Sequence, residues 1–487
     1  MTKDISFVTI KSNKGGSKLK EFETKQLLDF IDKTPTAYHC VKNLKEELIE
    51  NGYQELREGD SWYDLKRDQG KHFVTRGDSS LIAFQIPDRV IGPYGYHIVA
   101  THTDSPTFRV KQNGEHYQAI IEGSGYNKLD VEGYGSGINY TFLDRPLSIA
   151  GRVLYEVMPI EQIYSEVVNL DKDMLVIPSQ AIHVNREVNE GAKFNRQIDM
   201  QPIMTLNHNI NWLDTLVVED ALRRSGKPYP KDSVKLLDHD LFLYNRDKAR
   251  IIGADDEIIM APRLDDLACL YPSYRAFLDS SFENDTRINV FCAFHNEEIG
   301  SLTKQGADSS FLADVLVRVA KSLDMDIHAM LGNSFMISAD NAHAAHPNAL
   351  GKTDDSNKVL MNKGIVVKHH TNYTTDAFSG AVFKKICERA NVPYQDFTYR
   401  SDMICGATLG GISNSHVSID SVDIGLAQLA MHSANEVMGA ADPDNLYWAM
   451  YEYYHSAIDK YGNEVRIMST TPLEKRKVMT RKGNSKK

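Results

Sequence analysis

Ile288-Asn289-Val290-Phe291-Cys292-Ala293-Phe294 runs directly into His295-Asn296-Glu297-Glu298-Ile299-Gly300. Apolar residues occupy both parities of the first seven positions, which predicts a strand buried on both faces, inside a sheet with helices on either side. The pair Glu297-Glu298 at its end is the sharpest local conflict in the chain. Neighbouring carboxylates at a buried strand end repel each other unless a cation or a shared proton relieves them. Two acids facing water from a loop would carry no such meaning, but Phe294 and Gly300-Ser301 flank them uncomfortably for that.

Outward from this stretch, short apolar runs at 81–84, 97–100 and 335–338 read as further buried strands. Helical patterns alternate with them. One starts at Thr34-Pro35, a capping hydroxyl before a proline suited to a first turn, and runs through Val41, Leu44, Leu48 and Ile49 to a stop at Gly52. Others cover 311–323, 374–390 and 443–458. The fold class is therefore α/β, a mixed, largely parallel sheet flanked by helices.

From about 106 to 251 the texture changes to short β-like runs, at 119–122, 147–154 and 173–177, punctuated by Gly, Asn and Asp. Gly133-Tyr134-Gly135-Ser136-Gly137 lacks the Lys-Ser/Thr of a phosphate cradle and the dinucleotide spacing, so it reads as a turn between strands. The expected organisation is a discontinuous domain, 1–105 plus 252–487, interrupted by a β-rich insertion at 106–251. Residues 465–487 form a basic tail, in which Glu474 is the one acid of 473–487.

The 487 residues carry 55 Lys+Arg against 66 Asp+Glu, a formal charge of −11. That balance speaks against nucleic acid or an anionic membrane as partner, since both need a basic face. No run of eighteen apolar residues exists to span a bilayer, and the amino terminus does not read as a signal peptide. Cys40, Cys269, Cys292, Cys387 and Cys405 are odd in number, scattered and without a C-x-x-C pair, as reduced thiols of a cytoplasmic protein would be.

Four more groups join the paired Glu where predicted strands stop. His102 and Asp104 follow the 97–100 run; as i and i+2 they share a face, and a ligating imidazole commonly gives its other N–H to a carboxylate. Alone, they are more readily a structural His–Asp pair at a strand end. Asp265-Asp266 could bridge cations or simply favour a helix start. Asp340 ends the 335–338 run, ahead of His343 and His346. His432 follows the apolar 426–430 and by itself is more often a core residue than a ligand. Together, two histidines and three carboxylates, with a spare Glu beside a ligand and no thiolate, suit a two-metal hydrolytic site.

The runs His102-Thr103-Asp104-Ser105-Pro106, Pro262-Arg263-Leu264-Asp265, Asn296-Glu297-Glu298-Ile299-Gly300-Ser301, Ser338-Ala339-Asp340-Asn341-Ala342-His343-Ala344-Ala345-His346-Pro347-Asn348 and Gln428-Leu429-Ala430-Met431-His432-Ser433 resemble, in order, the aspartyl aminopeptidase family of cocatalytic dinuclear metallopeptidases. The likeness extends from about residue 25 to 460. The segment from Glu122-Gly123 to Arg152, with Phe142-Leu143-Asp144-Arg145, is similar to that family's inserted domain. The resemblance implies a catalytic α/β domain interrupted by a dimerisation domain, with dimers assembling into a tetrahedral particle, typically a dodecamer. It implies that Asp265 bridges two divalent ions, that His102 and Asp340 complete one site, and that Glu298 and His432 complete the other. Glu297 becomes the general acid/base and Asp104 the carboxylate that holds His102. His183 matches a histidine that reaches a neighbouring subunit's active site, His343 a substrate-contacting position, and Lys368 and Tyr373 the pocket for an acidic side chain.

The expected reaction is removal of the N-terminal residue of a peptide, with Asp or Glu preferred. Two ions, zinc first and manganese or cobalt also accepted by these donors, activate one water for attack on the scissile carbonyl. Two alternatives remain open at this stage: a broader aminopeptidase for neutral residues, and a metal-stabilised oligomeric scaffold without catalysis.

Overall fold

The side chains of the strand Ile288–Phe294 divide between two apolar cores. Phe291 and Ala293 enter one cluster, while Val290, Cys292 and Phe294 enter another on the opposite face. A strand loaded in this way has to be covered twice, and it is. The computed structural model describes residues 22–63, 65, 70–87, 94–121, 124–208, 211–280, 287–406, 408–469 and 471. Among them, nine strands form the central sheet in the order Gln54–Leu56, Lys71–Arg76, Ser80–Gln85, Ile288–Phe294, Tyr96–His102, Phe335–Ala339, Asp420–Gly425, Ile365–His369 and Tyr394–Thr398. Parallel and antiparallel neighbours mix, with the three innermost ladders all parallel.

Helices Thr24–Lys33, Ala37–Glu50, Leu264–Asp279, Ala377–Ala390 and Asp442–Tyr454 bury their apolar faces on one side of this sheet. Phe311–Ser322 and Leu409–His416 cover the other. Register decides where the chemistry falls. Phe294 lies opposite His102, and Ser338 opposite Ala100, so parallel strands release their following residues at one edge. Open α/β sheets bind ligands at that edge.

A second, six-stranded sheet is antiparallel throughout. It runs Gln162–Asn169, Leu147–Val157, Val234–Asn245, Thr107–Ile121, Ser124–Tyr134 and Ile203–Thr205, with Leu213, Val217 and Ala221 of helix Trp212–Ser225 packed into its core. A small sheet pairs Ile258–Ala261 with Glu436–Gly439, bringing together the chain before Asp265 and the chain after His432.

Several expectations need correction. Thr36, not Thr34, sits at the N-cap of Ala37–Glu50, because Thr34 closes the preceding helix Thr24–Lys33. The 374–390 helix begins at Ala377: Asp376 caps it through the Ser379 N–H, and Thr374 bonds Asp423 instead. The 443–458 helix ends at Tyr454, and Ile458 belongs to a hairpin of Ser456–Tyr461 with Glu464–Ser469. That hairpin occupies the start of the 465–487 stretch read as a tail; 472–487 lie outside the described residues, as do Glu122 and Gly123. Residues 173–177 make isolated bridges rather than a strand. All five cysteines are free thiols, and among the described residues no helix is long and apolar enough to cross a membrane.

Candidate metal centre

His102 ends its strand with Nε2 3.2 Å from Asp265 Oδ1 and 3.7 Å from Asp340 Oδ1. His432 approaches from the other side, its Nε2 3.5 Å from Asp265 Oδ2 and 3.4 Å from Glu298 Oε2. Asp265 thus turns one oxygen towards each imidazole; it groups with His102, Asp266 and Asp340 on one side and with Glu298 and His432 on the other, and Glu297 groups with His102 and Glu298.

The donor chemistry fits cations. His102 Nδ1 lies 3.1 Å from the carbonyl of Asp104, and His432 Nδ1 3.3 Å from that of Ser136. A carbonyl accepts only from N–H, so each ring carries a proton on Nδ1 and turns Nε2 to the carboxylates. The acids around both rings favour positive charge between imidazole and carboxylate, whether a second proton or a cation. Asp265 Oδ1 and Glu298 Oε1 are buried with no hydrogen-bond partner, as oxygens reserved for an ion would be.

Local sequence builds the site. Asp265 lies at the start of Leu264–Asp279 with non-helical backbone, after Arg263 at φ 59°, whose half-buried guanidinium donates to the carbonyls of Thr34 and Ile31. Asn296 takes φ 64° to turn the chain from its strand into the Glu297–Ile299 turn. Gly135 holds φ +73°, and a Cβ there would stand 3.2 Å from that of Glu298. The glycine-rich turn is therefore part of the wall of the site.

Asp104 is the hub behind the ligand candidates. It lies 3.6 Å from His102 Nδ1, accepts the N–H groups of Glu297 and Glu298 at 3.2 Å each, and accepts the Tyr134 hydroxyl at 2.7 Å. Burial opposes its charge, but His102, His295 and Tyr134 outweigh it and hold the carboxyl down to about 2. Among the described residues none donates to the Glu297 side chain; burial, with repulsion from Asp340, Asp104 and Asp265, pushes it up to about 7.

A cleft of about 190 Å³ opens beside these groups, lined by Glu297, Asp340, His343, Lys368, Tyr373 and His432. Lys368 is buried, its Nζ 3.3 Å from Asp340 Oδ2 and 5.9 Å from the Tyr373 ring. His183 is exposed on a turn in the β-rich region and is not among the residues lining this cleft. Three residues of the site escaped the sequence reading. Tyr134 was visible only as part of a turn, and Asp266, whose Oδ2 accepts the His102 N–H at 3.2 Å, only as the neighbour of Asp265. Glu436 had one signal, an acid four residues past His432.

A family model described as aminopeptidase I zinc metalloprotease (M18) matches residues 30–454. The chain belongs to the M18 family. An M18 aminopeptidase is a metal-dependent hydrolase, and the buried His and carboxylate clusters fit a dinuclear site. Relatives of the M18 chain include a probable M18 family aminopeptidase 2 of Clostridium novyi, 42% identical over 86% of this chain and 95% of its own length. Aspartyl aminopeptidase 1 of Schizosaccharomyces pombe is 35% identical over 85% and 91% respectively. Among solved structures, that of the Ape4 and Nbr1 complex superposes with a TM-score of 0.81 at 33% identity, covering 88% of this chain and 85% of the other. The S. cerevisiae mApe1 dodecamer gives 0.75 at 26%, covering 88% and 95%.

Proposed function

We propose that this M18 aminopeptidase removes acidic residues from peptide amino termini. The observation that carries the reading is Lys368, a buried cation that lines the same cleft as Glu297 and the ligand candidates, with Tyr373 beside it. In a protein of net charge −11, attraction for an acidic side chain has to be local, and a buried ammonium supplies it. The S. pombe relative named as an aspartyl aminopeptidase supports the same preference.

His102, Asp265 and Asp340 would hold one divalent ion and Asp265, Glu298 and His432 the other, with zinc the first choice and manganese or cobalt suited to the same donors. Ions in such a pair polarise a carbonyl and lower the pKa of water. Glu297 takes the proton of the attacking water on its carboxylate and passes it to the leaving amine. Asp104 keeps His102 oriented, His343 contacts the substrate from the cleft wall, and His183 serves the active site of a neighbouring subunit.

That last role requires an assembly. Ile121, Val184, Ile198 and Leu206 of the β-rich region are 68%, 76%, 70% and 70% exposed. Apolar side chains this exposed in one region would be buried by a second copy, which supports the 106–251 insertion as a dimerisation domain. The dodecamer described for S. cerevisiae mApe1 supports a larger assembly, which we read as a tetrahedral dodecamer in the cytoplasm. A second reading, a broader preference for neutral residues, draws on the ion pair of Lys368 with Asp340, which already occupies part of its charge.

Hydrolysis of Asp, Glu and Leu anilides after chelation and return of each metal tests the assignment. Activity that returns with the ion and favours Asp and Glu is expected; equal rates on Leu would favour the second reading.

A further inference from the structure

Two hydrogen bonds join the main chain on both sides of the metal centre to one buried carboxylate. Glu436 is 1% exposed. Its Oε2 accepts the N–H of Asp265 at 2.9 Å, and its Oε1 the N–H of His432 at 2.6 Å. These two residues lie far apart in sequence, yet their side chains face each other across 3.5 Å. Glu436 is itself anchored, since it pairs with Ala261 in the ladder that leads to Asp265. Each of its oxygens is engaged by a backbone N–H, and it belongs to none of the clusters of potential ligands among the described residues.

The backbone of His432 gives the arrangement its force. It holds φ +68°, in the left-handed region that a side chain other than glycine keeps only when its surroundings impose it. The His432 N–H bond to Glu436, with the His432 carbonyl accepting from Ile138 N–H at 2.9 Å, imposes it here.

We propose that Glu436 is a positioning residue whose carboxylate sets the main chain of Asp265 and His432 together, and so fixes the ion site those two residues share with Glu298. It acts through the two ligands and touches neither ion nor substrate. The proposal rests on the assignment of Asp265 and His432 as ligands. A glutamine at 436 would keep the shape but turn one acceptor into an NH₂ group facing an N–H, so one of the two bonds is lost.

The test uses full-length Glu436→Gln, with zinc affinity measured by competition against a chelator, kcat and KM at saturating zinc, and thermal unfolding of the chelated protein. We expect zinc to bind about 10- to 100-fold more weakly at the site of Asp265, Glu298 and His432, with a smaller loss at the other site, which shares Asp265. We also expect kcat to fall with KM little changed; the N–H left unpaired lowers the unfolding temperature of the chelated protein in either case, so the zinc affinities decide. A purely structural carboxylate would lower that temperature and leave both zinc affinities as in the wild type, which overturns the proposal. Should Glu436→Gln not fold, Glu436→Asp keeps the charge but draws the oxygens back by one methylene, and the same comparison applies. Asp265→Asn separates the two levels of the argument. Zinc lost in Asp265→Asn but bound normally in Glu436→Gln refutes the clamp alone; zinc bound normally in both refutes the ligand assignment beneath it.

Discussion

The hydroxyl of Tyr134 donates to Asp104 Oδ2 at 2.7 Å and accepts from Asn296 Nδ2 at 2.8 Å. A side chain of the six-stranded sheet therefore braces the carboxylate beside His102 and the residue before Glu297. The two sheets meet in one buried network, and the geometry of the cleft depends on both.

Tyr134→Phe removes that brace while keeping the ring against Phe242. Asn296 Nδ2 loses its acceptor and Asp104 a donor, a loss of about 1–3 kcal/mol in stability for a buried group left unpaired. Partners that orient ligands typically matter about 10- to 100-fold, so kcat should drop within that range at saturating metal. Denaturant midpoints and steady-state kinetics check both; a variant with wild-type kcat would show that the hydroxyl serves folding only.

Glu297 separates catalysis from binding. Its carboxylate lines the cleft next to Glu298, but Glu298 has the buried, unpartnered oxygen. Glu297→Gln should retain both metals by elemental analysis and lose about 10²- to 10⁴-fold in kcat, the usual worth of a placed acid/base. Glu298→Gln should lose metal first. If Glu297→Gln turns over normally, the proton passes elsewhere.

Three of the ligand candidates were legible because they stand at or just past the end of an apolar run, and parallel register brings such ends to one edge. Glu298 after Phe294, Asp340 after Ala339 and His102 at the end of its own strand are three instances of one rule. Glu436 and Tyr134 were not legible for the opposite reason. Glu436 acts on backbone N–H groups, which every residue has, and one of them lies 171 positions away. Tyr134 reaches Asn296 across 162 positions from within a glycine-rich turn. Helix ends went wrong locally: the apolar pattern continues smoothly from Tyr454 to Ile458, and only pairing with Ile467 makes the latter a strand.

Lys368 offers a test of selectivity against rate. Its ammonium is shared with Asp340, so Lys368→Ala should slow cleavage of every substrate. Losing a charge-assisted bond of about 1.5–3 kcal/mol should additionally cut the Asp-to-Leu ratio of kcat/KM by about 10- to 100-fold. A rate loss with the ratio unchanged would make Lys368 a partner of Asp340 and nothing more for substrate.

Two histidines away from the metal centre govern stability in mild acid. His39 is buried with Nε2 unpartnered, and burial, with Arg224, Lys42 and Arg263 nearby, pushes it down to about 3. His97 stacks on Tyr453 with both ring nitrogens unpartnered, and burial and Arg287 hold it well below its ordinary value. Both rings stay neutral in the folded chain while the unfolded chain protonates them near pH 6.5, so stability present above that pH is lost as pH falls towards the folded values. Each contributes about 1.4 kcal/mol per pH unit across that window, or about 2 kcal/mol between pH 6.5 and 5. His97→Phe keeps the stack on Tyr453 and removes the titrating group. Its unfolding midpoint should therefore fall less than that of the wild type between pH 7.5 and 5, both proteins carrying metal so that proton competition at the ligands cancels. Equal falls would mean that His97 is protonated in the folded protein, and the buried neutral ring would have to be abandoned.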